Sequence, residues 1–479
     1  MATTETINEK NLDALSSLLN PQVKKTNYGP TFGKRHIQAI VLTLMMITVF
    51  IIRTILSVSI VAMTTPSANP NKDIPTYQWS DKNLVLASFL WGYFVPQYLA
   101  GYVSDRYGAK WFLVCTTSLT AIAGLLIPIS AAMFGSKGVM ACRILQGLTQ
   151  GFLYPCMASI LGKWIPSNER SRIGSIVYSG APLGIVTSMI VTGYVCASPY
   201  GWPFAFYLCS GLAFIVVAIY AYVGCSDPSE HSTITEEEKL YIKTNLKIED
   251  NRHELKVPFK QILTSPPFLS LCITNIAFNY THWTLLTETA IYLDKIMKFD
   301  LKSNSLLSSL PYIFEIVLAI VVSFIADFLS TRNILSTTNI RKIMNNCGLI
   351  IPGIALYLLG NTGPSDRYLV IFLIVLISGM PGTGKSGHIA NHSDLAPNFS
   401  GIMMGISNGT SVLFSSMAPT LAQFVLTDET NRDQWRILFH VALGFNVFAA
   451  VINTLFTSGE KQPWSQGTRK TKVATEMPV

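Results

Sequence analysis

The segment RILQGLTQGFLYP, from Arg143 to Pro155, places a full positive charge inside an apolar run that is long enough to cross a membrane. The run extends from about Val139 to Leu161, and a helix rises about 1.5 Å per residue against a hydrocarbon core of ~30 Å. An arginine that faced lipid would be costly, so Arg143 is expected to face protein or a water-filled cavity. It could hold an anion there, or it could act structurally by binding carbonyl groups of a nearby helix.

Small residues in the same segment predict how this helix packs. Gly147 and Gly151 are four residues apart, a spacing that lets a neighbouring helix approach closely. Pro155 lacks the main-chain N–H that would bond one turn back, so it predicts a kink. We therefore expect a bent helix with a glycine face turned towards another helix.

The composition of the whole chain is that of a polytopic membrane protein. Hydrophobic residues make up 49% and charged residues only 13% of the 479 residues, and the mean hydropathy is +0.39. A soluble domain carries about 25% charged residues. A window scan predicts twelve spans of about 20 residues each. Their approximate bounds are Ile37–Met63, Asn83–Val103, Phe112–Met133, Val139–Leu161, Ile173–Cys196, Phe204–Val223, Phe268–Leu293, Ser305–Phe328, Ile343–Leu358, Tyr368–Ala390, Gly401–Val425 and Trp435–Phe456.

The basic residues predict the orientation of these spans. Many fall on one side of the arrangement, which the positive-inside rule identifies as the cytosol, so both tails are expected there. They are Lys34, Arg35, Arg106, Lys110, Lys163, Arg170, Arg172, Arg332, Arg341 and Lys342. The net charge of +8 follows from this distribution and gives no reason to expect a nucleic-acid partner.

A polar interval divides the spans six and six. We predict a cytosolic tail (1–35), a six-helix bundle (36–224), a cytosolic connector (225–264), a second six-helix bundle (265–457) and a second cytosolic tail (458–479). Within the connector, Thr235 and Glu238 have the spacing of a capping box, which predicts a short surface helix from Glu236.

Similar features recur six spans apart. The second span ends with Asp105 and the eighth with Asp327, while the fourth carries Arg143 and the tenth carries Lys385. Such matches predict an all-α membrane protein of two pseudo-symmetric six-helix bundles, with a site between them near the middle of the membrane.

Several of these motifs resemble one known family. GYVSDRYG, from Gly101, resembles the loop signature of the major facilitator superfamily. RILQGLTQGFLYP, the stretch ADFLSTRNILSTTNIRKIMN from Ala326, NHSDLAP from Asn391 and SGEKQPW from Ser458 resemble its anion–cation symporters. That branch contains sialin, the vesicular glutamate transporters, and the type I sodium–phosphate cotransporters with their insect relatives. The resemblance implies a secondary carrier for a small organic or inorganic anion, coupled to sodium, protons or voltage, without a cofactor or metal.

The resemblance also implies roles for individual residues. Arg143 and Arg53 match arginines of the fourth and first helices that contact the substrate anion. Trp91 and Tyr93 lie in a second-helix motif that lines the cavity. His392, followed by an acid two residues later at position 394, matches a tenth-helix pair.

One departure from the family pattern affects proton coupling. Many members carry a titratable glutamate seven residues after the fourth-helix arginine, and this chain has Gln150 there. Gln150 can line the cavity but cannot titrate. Glu315 or Glu288 could replace the missing group, because a dry carboxylate inside a membrane can take up and release a proton. Glu315 could instead be paired with a neighbouring base.

Two arginines at a similar depth suit a carboxylate or phosphate ligand. From their positions in the first and fourth spans, Arg53 and Arg143 should both lie in the outer half of the membrane, where they could share one anion. The alternative is that Arg53 forms a structural ion pair with Glu315.

Lys385 closes a match to the nucleotide-binding pattern, GMPGTGKS from Gly379 to Ser386. A phosphate loop follows a buried strand and opens a helix in a βαβ unit, whereas this match interrupts a membrane span. We therefore interpret it as a tenth helix softened by glycine, with Lys385 facing the cavity and available to an anion.

Charged residues at the inner ends of the spans predict a latch on the cytosolic face. We assign to it Asp105 and Arg106 with the cluster Glu169, Arg170 and Arg172, and also Asp327 with Arg341. Two other functions remain as alternatives to a carrier: an anion channel or uniporter, and, on the GKS match alone, a membrane ATPase. The sequence leaves open whether the protein lies in the plasma membrane or in a lysosomal or vesicular membrane.

Overall fold

The structure is a computed structural model that describes residues 30–64, 71–79, 81–246, 255–297, 310–363, 366–428, 430–466 and 468–469. Most of the two predicted tails, residues 1–29 and 470–479, lies outside the described residues. The predicted segment boundaries between tails, bundles and connector remain a prediction.

Helices form nearly all of the described chain. Those of the first half are Lys34–Thr64, Lys82–Tyr107, Lys110–Gln150, Leu153–Trp164, Arg170–Cys196 and Gly201–Val223. Those of the second half are Pro266–Lys295, Leu310–Thr331, Thr337–Asn361, Arg367–Gly379, Pro381–Gly384, the π-helix Lys385–Ile389, Ala390–Leu395, Ser400–Ser415, Met417–Val425 and Arg432–Phe456. Between the halves lie Pro228–Glu230, Glu236–Leu246 and Phe259–Leu263. Short 3₁₀ turns occupy Pro397–Phe399 and Pro463–Gln466, and a two-residue antiparallel strand pair joins Leu255–Lys256 to Thr468–Arg469.

These helices make twelve membrane spans. Within the described residues, nine stretches are individually long and apolar enough to cross a membrane. One of them, Lys110–Trp164, has 55 residues and would be about 80 Å long if it were straight. It folds back at Gly135, whose φ of 61° lies in the left-handed region that favours glycine, and so supplies the third and fourth spans. Pro266–Lys295 and the two-part segment from Ser400 to Val425 supply the seventh and eleventh.

The fourth span is bent as predicted. Its helix ends at Gln150 and restarts at Leu153, so the break itself lies about one turn before Pro155. The proline has no N–H for the carbonyl of Gly151 and crowds it, which explains the position of the break. A methyl group added at Gly147 would overlap main-chain atoms of the second span, so the predicted close approach at this glycine is confirmed.

The tenth span is softened by glycine, also as predicted. It passes from an α-helix into a π-helix at Lys385, and Gly387 within that π-helix has φ −93° and ψ −113°, outside the helical region. The GKS match thus lies inside a membrane helix, and the element that leads into it is the helix Arg367–Gly379 and not a strand.

The two halves meet most tightly at their cytosolic ends. The second and fourth spans pack on the eleventh, and the fifth packs on the eighth. Described hydrogen bonds and ion pairs between the halves lie within ~15 Å of the inner helix ends; examples join Ser175 to Ser386 and Gln97 to Asn408. The site between the halves is therefore closed at the helix ends that the basic residues predict to be cytosolic.

The connector helix is docked on the first half. It begins at Glu236, and the N–H of Glu238 bonds to the Thr235 hydroxyl at 3.3 Å, so the predicted capping contact is present. The carboxylate of Glu238 is buried and accepts hydrogen bonds from the main-chain N–H groups of Lys34 and Arg35, at 2.9 and 3.1 Å. It thereby satisfies donors at the start of the first span.

Candidate functional site

Arg53 lies in the first span with its guanidinium among three aromatic rings. The guanidinium carbon is 4.5 Å from the ring centre of Phe89, 4.8 Å from that of Tyr93 and 5.3 Å from that of Phe50. Contacts with ring faces hold a cation in place but leave its N–H donors unused. The side chain is half-buried and forms no hydrogen bond or ion pair with another described residue. Arg53 is therefore a positioned charge whose donors remain available.

Arg143 is more deeply buried, with 4% of its surface exposed. Its Nη1 donates to the main-chain oxygen of Arg53 and to Oε1 of Gln146, both at 3.1 Å. The structural role that the sequence left open for Arg143 is thus present, because the side chain binds a carbonyl of a neighbouring helix. Its Nε has no hydrogen-bond partner among the described residues, so the group is not saturated.

The two arginines are neighbours. The guanidinium carbon of Arg143 lies 4.9 Å from the centre of the Phe89 ring, the same ring that Arg53 contacts. Because Arg143 also reaches the main chain of Arg53, both lie at one depth in the membrane. Two like charges this close favour an anion between or beside them.

The two aromatic residues assigned from the second-span motif lie in different environments. Tyr93 is buried, stacks on Phe89 and lies beside Arg53, at the candidate site. Trp91 is 52% exposed and follows the same exposed apolar face as Leu84 and Leu99, a pattern typical of a lipid-facing stripe. The assignment of Trp91 to the substrate cavity is therefore wrong, because its helix turns the indole away from the arginines.

A cavity of about 150 Å³ lies between the halves. Residues that line it include Tyr154 and Tyr178 from the first half, and His282, Glu315, Lys385 and Asn408 from the second. The Tyr154 ring packs edge-on against Phe50, one of the rings that hold Arg53. The rings of Tyr154 and Phe50 therefore lie between this cavity and the arginine pair.

Glu315 and Lys385 form an ion pair in this cavity. Oε1 of Glu315 lies 2.9 Å from Nζ of Lys385, and both side chains are almost fully buried. The predicted alternative of an Arg53–Glu315 pair is wrong, because the tenth span brings Lys385 to the carboxylate instead. Glu288 is buried in the seventh span and is not among the residues that line this cavity.

Two further predicted residues lie close to the cavity but not on its surface. Gln150 is buried, and neither its amide nitrogen nor its oxygen has a hydrogen-bond partner among the described residues. His392 is fully buried, with Nδ1 3.1 Å from the carbonyl of Ile389. His388, one turn earlier, lines the cavity instead. The proposed cavity position of His392 needs correction to His388, because His392 lies one turn further along the span, next to the contacts of Asp394.

The strongest contacts between the halves converge on Asp394. Its carboxylate lies 2.7 Å from Nη1 of Arg170 in the fifth span and 2.6 Å from Nε of Arg341 in the ninth. Arg341 also donates to the Ser171 hydroxyl at 2.8 Å and to the carbonyl of Ser386. In sequence this acid belongs to a tenth-helix motif, and in the structure it lies at the centre of these contacts between the halves.

The other assigned latch residues have different partners from those predicted. Asp327 accepts a hydrogen bond from the main-chain N–H of Arg172 at 2.7 Å, whereas Arg341 points to Asp394. Asp105 accepts from the N–H of Ile402 at 2.9 Å, across the halves.

Two assigned latch residues make their described contacts within the first half. Glu169 pairs with Arg35 at 2.8 Å, a partner at the start of the first span that the sequence did not predict. Arg106 contacts the hydroxyl of Tyr102, one turn back on its own helix.

Comparisons with known proteins place this chain in a family. The sequence profile of the Major Facilitator Superfamily matches residues 42–419. A Drosophila melanogaster protein described as "Putative inorganic phosphate cotransporter" is 34% identical, over 90% of this chain and 86% of its own length. Sialin of Ovis aries is 34% identical over 81% and 78% of the two chains, and vesicular glutamate transporter 2 of Bos taurus is 32% identical over 82% and 68%.

Solved structures share the fold. The proton:xylose symporter XylE superposes with a TM-score of 0.67 and 15% identity, covering 88% of this chain and 96% of that one. Proteins of this superfamily are transporters and not enzymes. The chain is therefore a multi-pass membrane protein of the Major Facilitator Superfamily, in the anion–cation symporter branch that includes sialin, the vesicular glutamate transporters and the inorganic phosphate cotransporters.

Proposed function

We propose that this protein is a secondary active carrier that moves a small anion across a membrane by alternating access. The observation that carries the proposal is Arg53, a half-buried guanidinium with unused donors that faces no described carboxylate and lies beside Arg143. Guanidinium groups bind carboxylate and phosphate oxygens bidentately, and the low dielectric of the membrane interior strengthens that contact.

The surrounding structure supports alternating access. The cytosolic ends are tied together at Asp394, while Arg53 remains partly exposed, as expected of a state that receives its ligand from the outer side. Transport then requires the halves to rock about the site, so that the inner contacts open. The bound anion must favour that change, since a ligand bound equally by both states shifts neither.

Arg143 has a second task in this proposal. Its bond to the main chain of Arg53 fixes the position of the first span relative to the fourth. Direct recognition of the anion is therefore assigned mainly to Arg53, with Arg143 adding positive potential behind it. The relatives are named after compounds that carry a phosphate or a carboxylate group. Phosphate and carboxylates are therefore the substrates to test first.

Uptake into liposomes tests the proposal. Purified protein would be reconstituted and given radiolabelled phosphate, glutamate or sialic acid, with sodium and pH gradients imposed separately. We expect saturable uptake of at least one anion, and a fall of about 10- to 100-fold in kcat/KM for Arg53→Gln, the loss expected for a charged hydrogen-bond pair. Arg332→Gln, at the cytosolic end of the eighth span, is the matched control.

The outcomes separate the alternatives. Uptake of every anion that is unchanged in Arg53→Gln would overturn the proposal. Ohmic current without saturation would indicate an anion channel, and uptake that required ATP would indicate a pump. Uptake driven by sodium alone, by protons or by voltage would identify the coupling.

A further inference from the structure

The cavity contains an ion pair that binding of the anion by Arg53 does not require. Glu315 of the eighth span and Lys385 of the tenth lie 2.9 Å apart, with 10% and 6% of their side chains exposed. Both belong to the second half, and both line the cavity that the two halves enclose. Among the described residues that line this cavity, Glu315 is the one carboxylate and Lys385 the one ammonium group.

The other titratable groups that line the cavity cannot replace either partner. Tyr154 and Tyr178 face it from the fourth and fifth spans, His282 from the seventh, and His388 from the tenth. None of these is an acid that could compensate Lys385, and Glu315 has no second cation at 4 Å or less among the described residues. The two charges therefore depend on each other, because a buried charge that loses its partner is strongly destabilised.

We propose that Lys385 and Glu315 form an exchangeable ion pair that couples entry of the anion to uptake of one proton. The inference rests on the proposed function and adds its coupling mechanism. An acidic oxygen of the substrate takes the place of Glu315 at Nζ of Lys385. The carboxylate of Glu315, left without a counter-charge, binds one proton from the outer solution and becomes neutral.

The cycle closes on the cytosolic side. When the anion leaves Lys385, the neutral carboxyl group of Glu315 releases its proton to the cytosol and the ion pair forms again. One negative charge and one proton cross together, so a monoanion moves without net charge. Gln150, which cannot titrate, then needs no role in proton transfer.

The position of Lys385 links this exchange to the cytosolic contacts. Lys385 opens the π-helix, and the next residue, Ser386, is held by two elements: its carbonyl accepts from Arg341, and its hydroxyl lies 3.1 Å from that of Ser175 in the other half. A π-helix followed by a non-helical glycine can rearrange locally without unfolding the span. Displacement of Lys385 towards an anion therefore pulls on the contacts that hold the inner side closed.

Combined uptake and proton measurements test the proposal. Proteoliposomes that contain a pH-sensitive dye would report proton entry while labelled anion uptake is measured as a function of external pH. For the native chain we expect uptake to increase at least fivefold as external pH falls from 8 to 6, with one proton per monovalent anion. Glu315→Gln should keep anion uptake, lose proton entry and become independent of pH.

A second variant is needed if the unpaired charge of Lys385 that remains in Glu315→Gln prevents folding. The Glu315→Gln, Lys385→Met chain removes both charges of the pair, so neither is left buried without its partner; it should fold, transport weakly and show no proton entry. The exposed pair of Glu236 and Lys239, on the connector helix, provides the control: Glu236→Gln with Lys239→Met should behave as the native chain.

The results distinguish this inference from the proposed function. Anion uptake that depends on Arg53 but retains native proton entry in both Glu315 variants would overturn the exchange mechanism alone. Uptake coupled to sodium, with no proton entry in the native chain, would do the same. Loss of the dependence on Arg53 would instead overturn the carrier proposal itself.

Discussion

A carboxylate oxygen of Asp394 lies 2.7 Å from Nη1 of Arg170, and this contact ties the tenth span of the second half to the fifth span of the first. The other oxygen of Asp394 binds Arg341, so one buried acid holds two buried cations. Because the cluster is buried, it stabilises the closed state only while all three groups are together. We therefore expect the cytosolic side to open at this cluster.

Replacing Asp394 should open that side. In Asp394→Asn the two arginines lose their counter-charge, at a cost of about 3–5 kcal/mol to the closed state. A cysteine placed at Ser175, which lies between the halves, should then react faster with a maleimide applied from the cytosolic side. Glu236→Gln, at an exposed ion pair, should leave that rate unchanged. An equal rate in Asp394→Asn would mean that the cluster does not hold the gate.

The two arginines should differ in what they support. Arg53→Gln should lower transport and leave the Tm in detergent within about 2 °C, because its contacts are with ring faces and not with a fixed acceptor. Arg143→Gln should lower both transport and Tm, because it loses the bond to the first-span carbonyl. Thermal unfolding and uptake measured on the same preparations would check this. Equal Tm losses would contradict the division of roles.

The second and fourth spans should tolerate no side chain at Gly147. A methyl group there overlaps main-chain atoms of Phe89, and Gly147→Ala should lower stability by about 1–3 kcal/mol. Gly211→Ala is the matched control, since nothing lies within 4 Å of a methyl group at that helical position. Thermal unfolding of both variants would test this prediction. A stable Gly147→Ala would show that the two helices can separate without loss.

The connector should detach when its buried acid is neutralised. Glu238→Gln weakens hydrogen bonds to the start of the first span and leaves Arg35 with Glu169 as its remaining described ion-pair partner. Hydrogen exchange in Glu236–Leu246 should become at least tenfold faster. Transport should change less than twofold, because the contacts of Glu238 stay within the first half. Glu237→Gln, its exposed neighbour, should leave the exchange rate unchanged.

Much of the fold was readable from local sequence. The twelve spans, the break one turn before Pro155, the glycine contact at Gly147 and the softened tenth helix all follow from neighbouring residues. Inside a hydrocarbon layer each main-chain group must be satisfied within its own helix, so length, apolarity and helix-breaking residues determine the spans one at a time.

The partners of the charged residues were not readable in that way. Asp394 meets Arg170 at a separation of 224 residues, and Glu315 pairs with Lys385, whereas the partner that the sequence suggested for it was Arg53. His388 takes the cavity position predicted for His392, which lies one turn further along the tenth span, and Trp91 lies on the exposed face of the second span. The sequence by itself determined the membrane fold and the family of anion carriers to which the chain belongs. Only the tertiary structure decided which charges neutralise each other and which remains available, because that depends on how far each helix is rotated and how closely its neighbours approach.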